Sequence, residues 1–157
     1  MKQTILLLIS AAMLFGCASA TTVMSEDPQV IEIIEVDASV SDIFRLSNEW
    51  MVETFNSAEA VIQYTDKEEG VLMGKGVSEI PVTLGSWRIG YTLKIETREG
   101  KARISIYDMT FAVKSGYEIT EMGRLKYQEH WDRVKDDITA IADDYESHLK
   151  AGLDASW

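Results

Sequence analysis

The sequence predicts an α+β fold in which an antiparallel sheet of about five strands carries two helices on one face. Two segments place apolar residues three and four positions apart, which is typical of amphipathic helices. Five other segments are rich in β-branched and aromatic residues, and four of them follow one another with short turns between. The predicted order is therefore β-α-β-β-β-β-α. Because each helix has an apolar stripe to bury, both are expected on the same sheet face.

Length and composition indicate one globular domain and exclude several classes of protein. The chain has 157 residues, of which 46% are hydrophobic and 26% are charged, values close to the globular average. Acidic residues outnumber basic ones by 26 to 15, and the resulting net charge of -11 argues against nucleic-acid binding. A single cysteine excludes an intrachain disulfide and a cysteine metal cage.

The first two elements are a short strand over residues 30–36 and the helix that follows it. Ser39 and Asp42 have the spacing of a capping box, with Ser39 as the N-cap. The apolar stripe of this helix consists of Ile43, Leu46, Trp50, Met51 and Phe55. The helix is expected to end near residues 56–57.

The next four strands are predicted over residues 60–66, 71–80, 86–98 and 102–113. Gly70 can supply the positive φ that a bulged hairpin loop requires. Gly74 and Gly76 lie on one face of their strand, where they allow a bend or a close approach. Residues 86–98 alternate between an apolar and a polar face, as a half-buried strand does.

The last of these strands has two faces that differ less clearly. One face consists of Ala102, Ile104, Ile106 and Asp108, and the other consists of Arg103, Ser105, Tyr107, Met109 and Phe111. The first set is the better core, so the second is expected to face away from the helices. Residues 114–123 are expected to form a loop, which either leaves that second face open or folds back over it.

A long helix is predicted from Leu125 to Lys150, with an apolar stripe made of Trp131, Val134, Ile138, Ile141, Tyr145 and Leu149. Residues 30–150 would then form the single α+β domain, and residues 151–157 a C-terminal tail.

The N-terminus has the pattern of a signal sequence. Lys2 precedes an apolar run from Ile5 to Phe15 that is about half as long as a bilayer-spanning helix. The run ends in Leu14-Phe15-Gly16-Cys17, which resembles the lipobox of bacterial lipoproteins. The resemblance implies that residues 1–16 are removed and that Cys17 is acylated. An ordinary secretory signal cut after Ala18 or Ala20 is the alternative.

Lipidation at Cys17 implies an address in the bacterial cell envelope. Ala18 follows the cysteine in place of the aspartate that retains lipoproteins in the inner membrane, so the resemblance implies the outer membrane, with the domain facing the periplasm. Residues 17–29 are small and polar and contain Pro28, and they are expected to form a flexible tether.

A second resemblance extends over residues 30–150. It rests on Trp50 and Phe55, on residues 57–58 and 61–64, on residues 66–70, and on Gly74-Lys75-Gly76. These segments resemble a family of bacterial domains of unknown function that have a fold like that of the TATA-binding protein. The resemblance implies the fold predicted above but no activity, since a shared fold does not carry function with it.

The residues offer few candidates for metal or cofactor chemistry, and no cofactor or metal is expected. His130 and His148 lie about 27 Å apart on one helix, too far to share a ligand. Asp144 and His148 are one helical turn apart, which suits either two metal ligands or an ion pair at the surface. The acidic residues between 136 and 146 are expected to form a solvated helix face.

Two functions remain open at this stage. The first is a non-catalytic envelope lipoprotein that binds a protein or peptide through Arg88, Lys94, Tyr107, Met109 and Phe111, because exposed aromatic and Met residues beside cations are typical of interface centres. The second is an enzyme that uses carboxylates, with Asp108 as the best candidate because it lies in an apolar strand.

Overall fold

The computed structural model describes residues 22–55 and 61–155, and these contain two helices and six strands. The elements follow one another as β1 (Val30–Glu35), α1 (Val40–Thr54), β2 (Val61–Asp66), β3 (Val71–Val82), β4 (Gly85–Arg98), β5 (Lys101–Ser115), β6 (Glu118–Arg124) and α2 (Gln128–Asp154). This is the predicted α+β order with one additional strand before the last helix.

All six strands belong to one antiparallel sheet. Its order is β1-β5-β4-β3-β2, and β6 also pairs with β5. β1 pairs with residues 101–106 of β5, and β6 pairs with residues 110–115. The two strands therefore lie end to end along the same edge of β5, and residues 107–109 mark the seam between them.

Helix α1 begins and packs as the sequence predicts. The Ser39 hydroxyl accepts a hydrogen bond from the Asp42 backbone N–H at 3.2 Å and donates one to the Asp42 carboxylate at 2.6 Å. Ser39 is therefore confirmed as the N-cap, and the Asp42 carboxylate bonds to the Ser39 hydroxyl. The predicted apolar stripe of this helix is entirely buried: Ile43, Leu46, Trp50, Met51 and Phe55.

Helix α2 lies against α1 and the sheet, but it is displaced by a few residues from the prediction. It begins at Gln128 and not at Leu125, and it continues to Asp154 beyond the predicted end at Lys150. The buried part of its stripe comprises Val134, Ile138, Tyr145 and Leu149, whereas Trp131 and Ile141 are half-buried. Most of the expected C-terminal tail is thus helical.

Two polar contacts join the helices, one buried in the core and one at its margin. The hydroxyls of Ser47 and Tyr145 lie 2.7 Å apart, and Ser47 also donates to the Ile43 carbonyl at 2.6 Å. The indole Nε1 of Trp50 donates to Asp144 at 2.8 Å. Burial raises the pKa of Tyr145 to about 12, and its hydrogen bond with Ser47 partly offsets that effect.

The core lies between the helices and one sheet face. The predicted alternation of β4 is confirmed, because Ile89, Tyr91, Leu93 and Ile95 are buried. In β3, a Cβ added at Gly76 would lie 2.6 Å from the Tyr91 ring. The close approach expected at this glycine is therefore made by the Tyr91 phenol.

The prediction for the second half of β5 is wrong. Met109 and Phe111 are only 3% and 5% exposed, so both belong to the core and not to an open face. Asp108, expected on the core side, is exposed. The reason is a bulge: Thr92 pairs with Tyr107 and Gly90 with Thr110, so two β5 residues lie opposite Tyr91 alone. A bulge reverses the alternation that follows it.

The predicted loop over residues 114–123 is also wrong. Its residues form the end of β5, a turn at Gly116 with φ +60°, and most of β6. Every residue of β6 is exposed, so the hairpin extends the sheet and does not fold back over it.

Residues 22–29, expected to be part of a flexible tether, lie against the domain. The Met24 N–H donates to the Lys126 carbonyl at 2.9 Å, and the Gln128 N–H donates to the Thr22 carbonyl at 2.9 Å. Pro28 is buried in front of β1. Residues 17–21 lie outside the described part of the chain.

Candidate functional site

The sheet face opposite the helices, here called the open face, is the main surface available for binding. No helix or loop of the described residues packs on it. Of the predicted binding residues, Arg88, Lys94 and Tyr107 lie on this face. Met109 and Phe111 do not, for the reason given above.

Ion pairs cover much of the open face. Glu79 accepts from Arg88 and from Lys114, each at 2.9 Å. Glu96 pairs with Lys94 at 3.1 Å and also with Arg103. Hydrogen bonds from Lys114 to Glu79 and from Arg103 to Glu96 hold the pKa of each glutamate below its usual value. Both carboxylates are therefore ionised at neutral pH and cannot serve there as proton donors.

Asp108 occupies an unusual backbone conformation at the centre of this surface. Its φ is +54°, the left-handed region, and among the described residues it is the one non-glycine residue with a positive φ. Aspartate tolerates this conformation better than most residues, but it still costs of order 1 kcal/mol. The conformation makes the bulge possible and points the carboxylate outward.

The seam between β1 and β6 forms a groove of about 590 Å³ beside Asp108. Arg124, the last residue of β6, donates to Asp27 at 2.6 Å and to Asp108 at 3.2 Å. Glu26, Gln29 and Tyr107 complete the groove. One guanidinium thus joins the N-terminal segment, β6 and the bulge.

A smaller hollow of about 200 Å³ lies on the other side of Asp108. Gly90, which has no side chain, and Thr92 line it together with Lys75, Val77 and Thr110. Lys75 extends from β3 toward solvent at this position. Groove and hollow share Asp108, and the two are together called the depression around Asp108.

The geometry meets only part of what an acid-base enzyme requires. Asp27 is the second carboxylate beside Asp108, but their side chains are 59% and 50% exposed. A catalytic acid needs an environment that disfavours its charged form, and these two groups face both water and a guanidinium. The depression is better suited to binding than to proton transfer.

The histidines are not arranged as a metal centre. His130 packs among Trp87, Phe111 and Tyr127, with ring centroids 4.7–5.5 Å away. The Nδ1 atom of His148 lies 3.8 Å from Glu53, and Asp144 accepts from Trp50 instead of joining His148. Among residues 22–55 and 61–155, no three His, Cys, Asp or Glu side chains converge on one point.

Several residues of the depression escaped the sequence analysis. Asp27 was assigned to a tether, and Arg124 fell between the predicted loop and the predicted helix, so nothing linked either of them to Asp108. A sequence gives no indication that two charged side chains nearly 100 residues apart, such as Asp27 and Arg124, form an ion pair in the fold. The available clue was Gly90, which interrupts the polar face of its strand between Arg88 and Thr92 and so leaves a side chain missing on that face.

The predicted membrane attachment rests on residues that the structure does not describe. Cys17 and the apolar run before it lie outside the described residues. In the part of the chain that the structure describes, no helix is both long enough and apolar enough to cross a membrane.

The described residues form a two-layer α+β domain in which the helices cover one face of the sheet. Sequence comparison assigns the chain to a family. Residues 29–112 match a domain of unknown function, DUF4468, that has a TBP-like fold. The chain belongs to this family. The resemblance seen in the sequence is thereby confirmed.

Solved structures agree with the fold. A DUF4468 family protein from Bacteroides ovatus superimposes with a TM-score of 0.62 at 13% identity, covering 88% of this chain and 93% of that one. A TBP-like protein from Parabacteroides distasonis gives a TM-score of 0.54 at 14% identity, covering 64% and 69%. No curated protein matches the sequence.

Proposed function

We propose that this protein is a lipid-anchored lipoprotein of the bacterial envelope whose domain binds a protein or peptide through the open face. The observation that carries the binding role is the depression around Asp108 on a sheet face that no described element covers. The lipobox at Leu14–Cys17 supports the anchor, and Ala18 supports an outer-membrane address facing the periplasm. The net charge of -11 argues against nucleic acid as the partner.

The anchor is tested by a single substitution. Cys17→Ala is expected to release the protein from the membrane fraction or to leave the uncut precursor, because the acylated sulfur is lost. Metabolic labelling with a clickable fatty acid provides the readout, and unlabelled wild-type protein would contradict the proposal.

The binding face is tested by two matched double variants. Lys75→Glu with Tyr107→Ser changes the open face, whereas Lys135→Glu with Val52→Ser changes exposed positions on the helices. Affinity capture from membranes is expected to lose its partner with the first pair and to retain it with the second. Equal capture by both would place the binding site elsewhere.

An envelope enzyme with its site near Asp108 is the second candidate, favoured by Asp27 lying beside Asp108 in a groove. A trapping experiment separates the two functions. An enzyme converts and releases its substrate, so Asp108→Asn would retain an uncleaved molecule that the wild type does not. A binding domain captures the same intact partner with either residue.

A further inference from the structure

The β5–β6 hairpin lies next to the point at which the chain leaves the domain toward Cys17. Val23 pairs with Tyr127, three residues after the end of β6, and Thr22 accepts from Gln128. Thr22 is only five positions after Cys17, and a fully extended chain of that length spans at most about 18 Å. An acyl chain on Cys17 therefore holds this edge of the sheet close to the bilayer surface.

The same edge carries apolar side chains that no described element covers. Tyr117 at the hairpin tip is fully exposed, and Val23, Met122 and Ile119 are 59%, 58% and 44% exposed. Scattered apolar residues are normal on a surface, but these four lie on one hairpin and the segment beside it. Tyrosine is enriched where membranes meet water, because its ring is apolar and its hydroxyl is polar.

Within α2 and the hairpin before it, the charge distribution favours the same orientation, while Glu26 and Asp27 near Val23 add negative charge at this edge, where Arg124 pairs with Asp27. Residues 115–133 contain three basic and four acidic residues, whereas residues 134–154 contain two basic and six acidic ones. Bacterial membranes carry anionic lipids, which repel the acidic half of α2 more strongly than the nearly neutral hairpin and helix start. The acidic half therefore points away from the membrane.

We infer that the exposed edge formed by residues 115–124 and Val23 rests on the lipid headgroups when the protein is anchored, a conclusion that depends on lipidation of Cys17 as proposed above. The outer edge of β6 has unpaired backbone groups, since β6 pairs only with β5 among the described strands. Hydrated headgroups satisfy such groups, whereas the hydrocarbon core does not. The edge consequently lies in the interface together with the part of the open face that carries Ile119, and the rest of the sheet stays clear of the bilayer.

The acylated protein in vesicles of phosphatidylethanolamine and phosphatidylglycerol provides the test. Cys17 is the one cysteine in the sequence, and acylation blocks its sulfur. An introduced cysteine is therefore the one thiol available to a dye. Met122→Cys places an environment-sensitive dye on the edge. Ser147→Cys is the control, about 28 Å along α2 from Gln128 and also exposed.

The dye at position 122 is expected to be quenched at least twofold more than the dye at position 147 by lipids brominated near the headgroup. Equal quenching at the two positions overturns the inference. In a parallel sample of unlabelled Met122→Cys protein at low protein-to-lipid ratio, rapid and complete disulfide dimerisation on addition of a copper–phenanthroline oxidant also overturns it, because a second copy then covers the edge. Mass spectrometry shows whether Cys17 is acylated. A Cys17 without acyl chains overturns both the anchor and this orientation. An acylated protein with equal quenching overturns the orientation alone.

Discussion

Asp108 illustrates how one residue can determine the position of many others. Its left-handed backbone inserts one extra residue into β5, and from there on the strand presents the opposite faces. Met109 and Phe111 consequently pack in the core, and the carboxylate reaches Arg124. Sequence alternation cannot locate such a bulge, because both registers of residues 102–111 place apolar side chains on the core side.

The backbone conformation of Asp108 predicts an asymmetric response to substitution. Asp108→Gly removes the left-handed strain and loses only an exposed ion pair, so the free energy of unfolding should change by less than about 0.5 kcal/mol. Asp108→Val puts a β-branched residue at positive φ and should destabilise by about 2 kcal/mol. Urea unfolding measures both, and equal stability of the two variants would contradict the assigned conformation.

Tyr145 predicts a loss of stability at alkaline pH. Its pKa is about 12 in the folded protein and about 10 in the unfolded chain, so between these values the unfolded state releases a proton that the folded state keeps. Stability contributed by this group is complete below pH 10 and falls by up to about 1 kcal/mol per pH unit as the pH rises to 12.

Tyr145→Phe is the control for this pH dependence. It removes the titrating hydroxyl and leaves Ser47 bonded to the Ile43 carbonyl, so the folded state should lose only about 1 kcal/mol at neutral pH. Chemical unfolding followed between pH 9 and 12 should show a shallower decline for the variant. Parallel curves for the two proteins would mean that the phenol is not buried.

At the scale of secondary structure, the sequence was informative wherever one face of an element is buried and the other is not. α1 and β4 have apolar residues at the period of their structure, and both were predicted correctly. β6 has no buried residue, so its sequence lacks any alternation and was taken for a loop. The depression around Asp108 depends on β6 and on the bulge, and could not have been predicted without them.

The contact between β3 and β4 predicts which of two glycines tolerates a side chain. A Cβ at Gly76 would lie 2.6 Å from the Tyr91 ring, which is buried and cannot move aside. A Cβ at Gly90 would lie 2.6 Å from the hydroxyl of exposed Thr110, which can rotate away. Gly76→Ala should therefore cost about 2 kcal/mol, and Gly90→Ala clearly less.

Thermal unfolding of the two alanine variants, measured side by side, tests this difference. A larger loss for Gly90→Ala than for Gly76→Ala would show that the strands are packed differently from the description above.

At the scale of the whole molecule, the excess of acidic residues opposes compactness. The sequence has a net charge of -11, and the excess is greatest over residues 22–42, which contain six acidic residues and no basic one. Salt screens this repulsion, and it also weakens the ion pairs of the open face, but exposed pairs contribute little to stability. Screening of the repulsion should therefore be the larger effect.

Raising the ionic strength from about 10 mM to 200 mM should increase the melting temperature by about 3 °C, since the Debye length falls well below the size of the domain. Differential scanning fluorimetry in sodium chloride and in a second monovalent salt measures the effect and separates screening from specific ion binding. A lower melting temperature at high salt would mean that the ion pairs outweigh the repulsion.

Residues 22–29 also determine how the protein responds to mechanical force. If the protein is anchored and captures a partner as proposed, a pull between the lipid and the partner breaks in turn the hydrogen bond from Gln128 to Thr22, the bond from Met24 to Lys126 and the ion pair of Arg124 with Asp27. Their rupture leaves β1 and the core intact and frees about eight residues, a gain in length of up to roughly 28 Å. Under the proposed anchoring, the segment between lipid and domain would therefore be short at rest and longer under load, and the domain could follow a partner away from the membrane without unfolding.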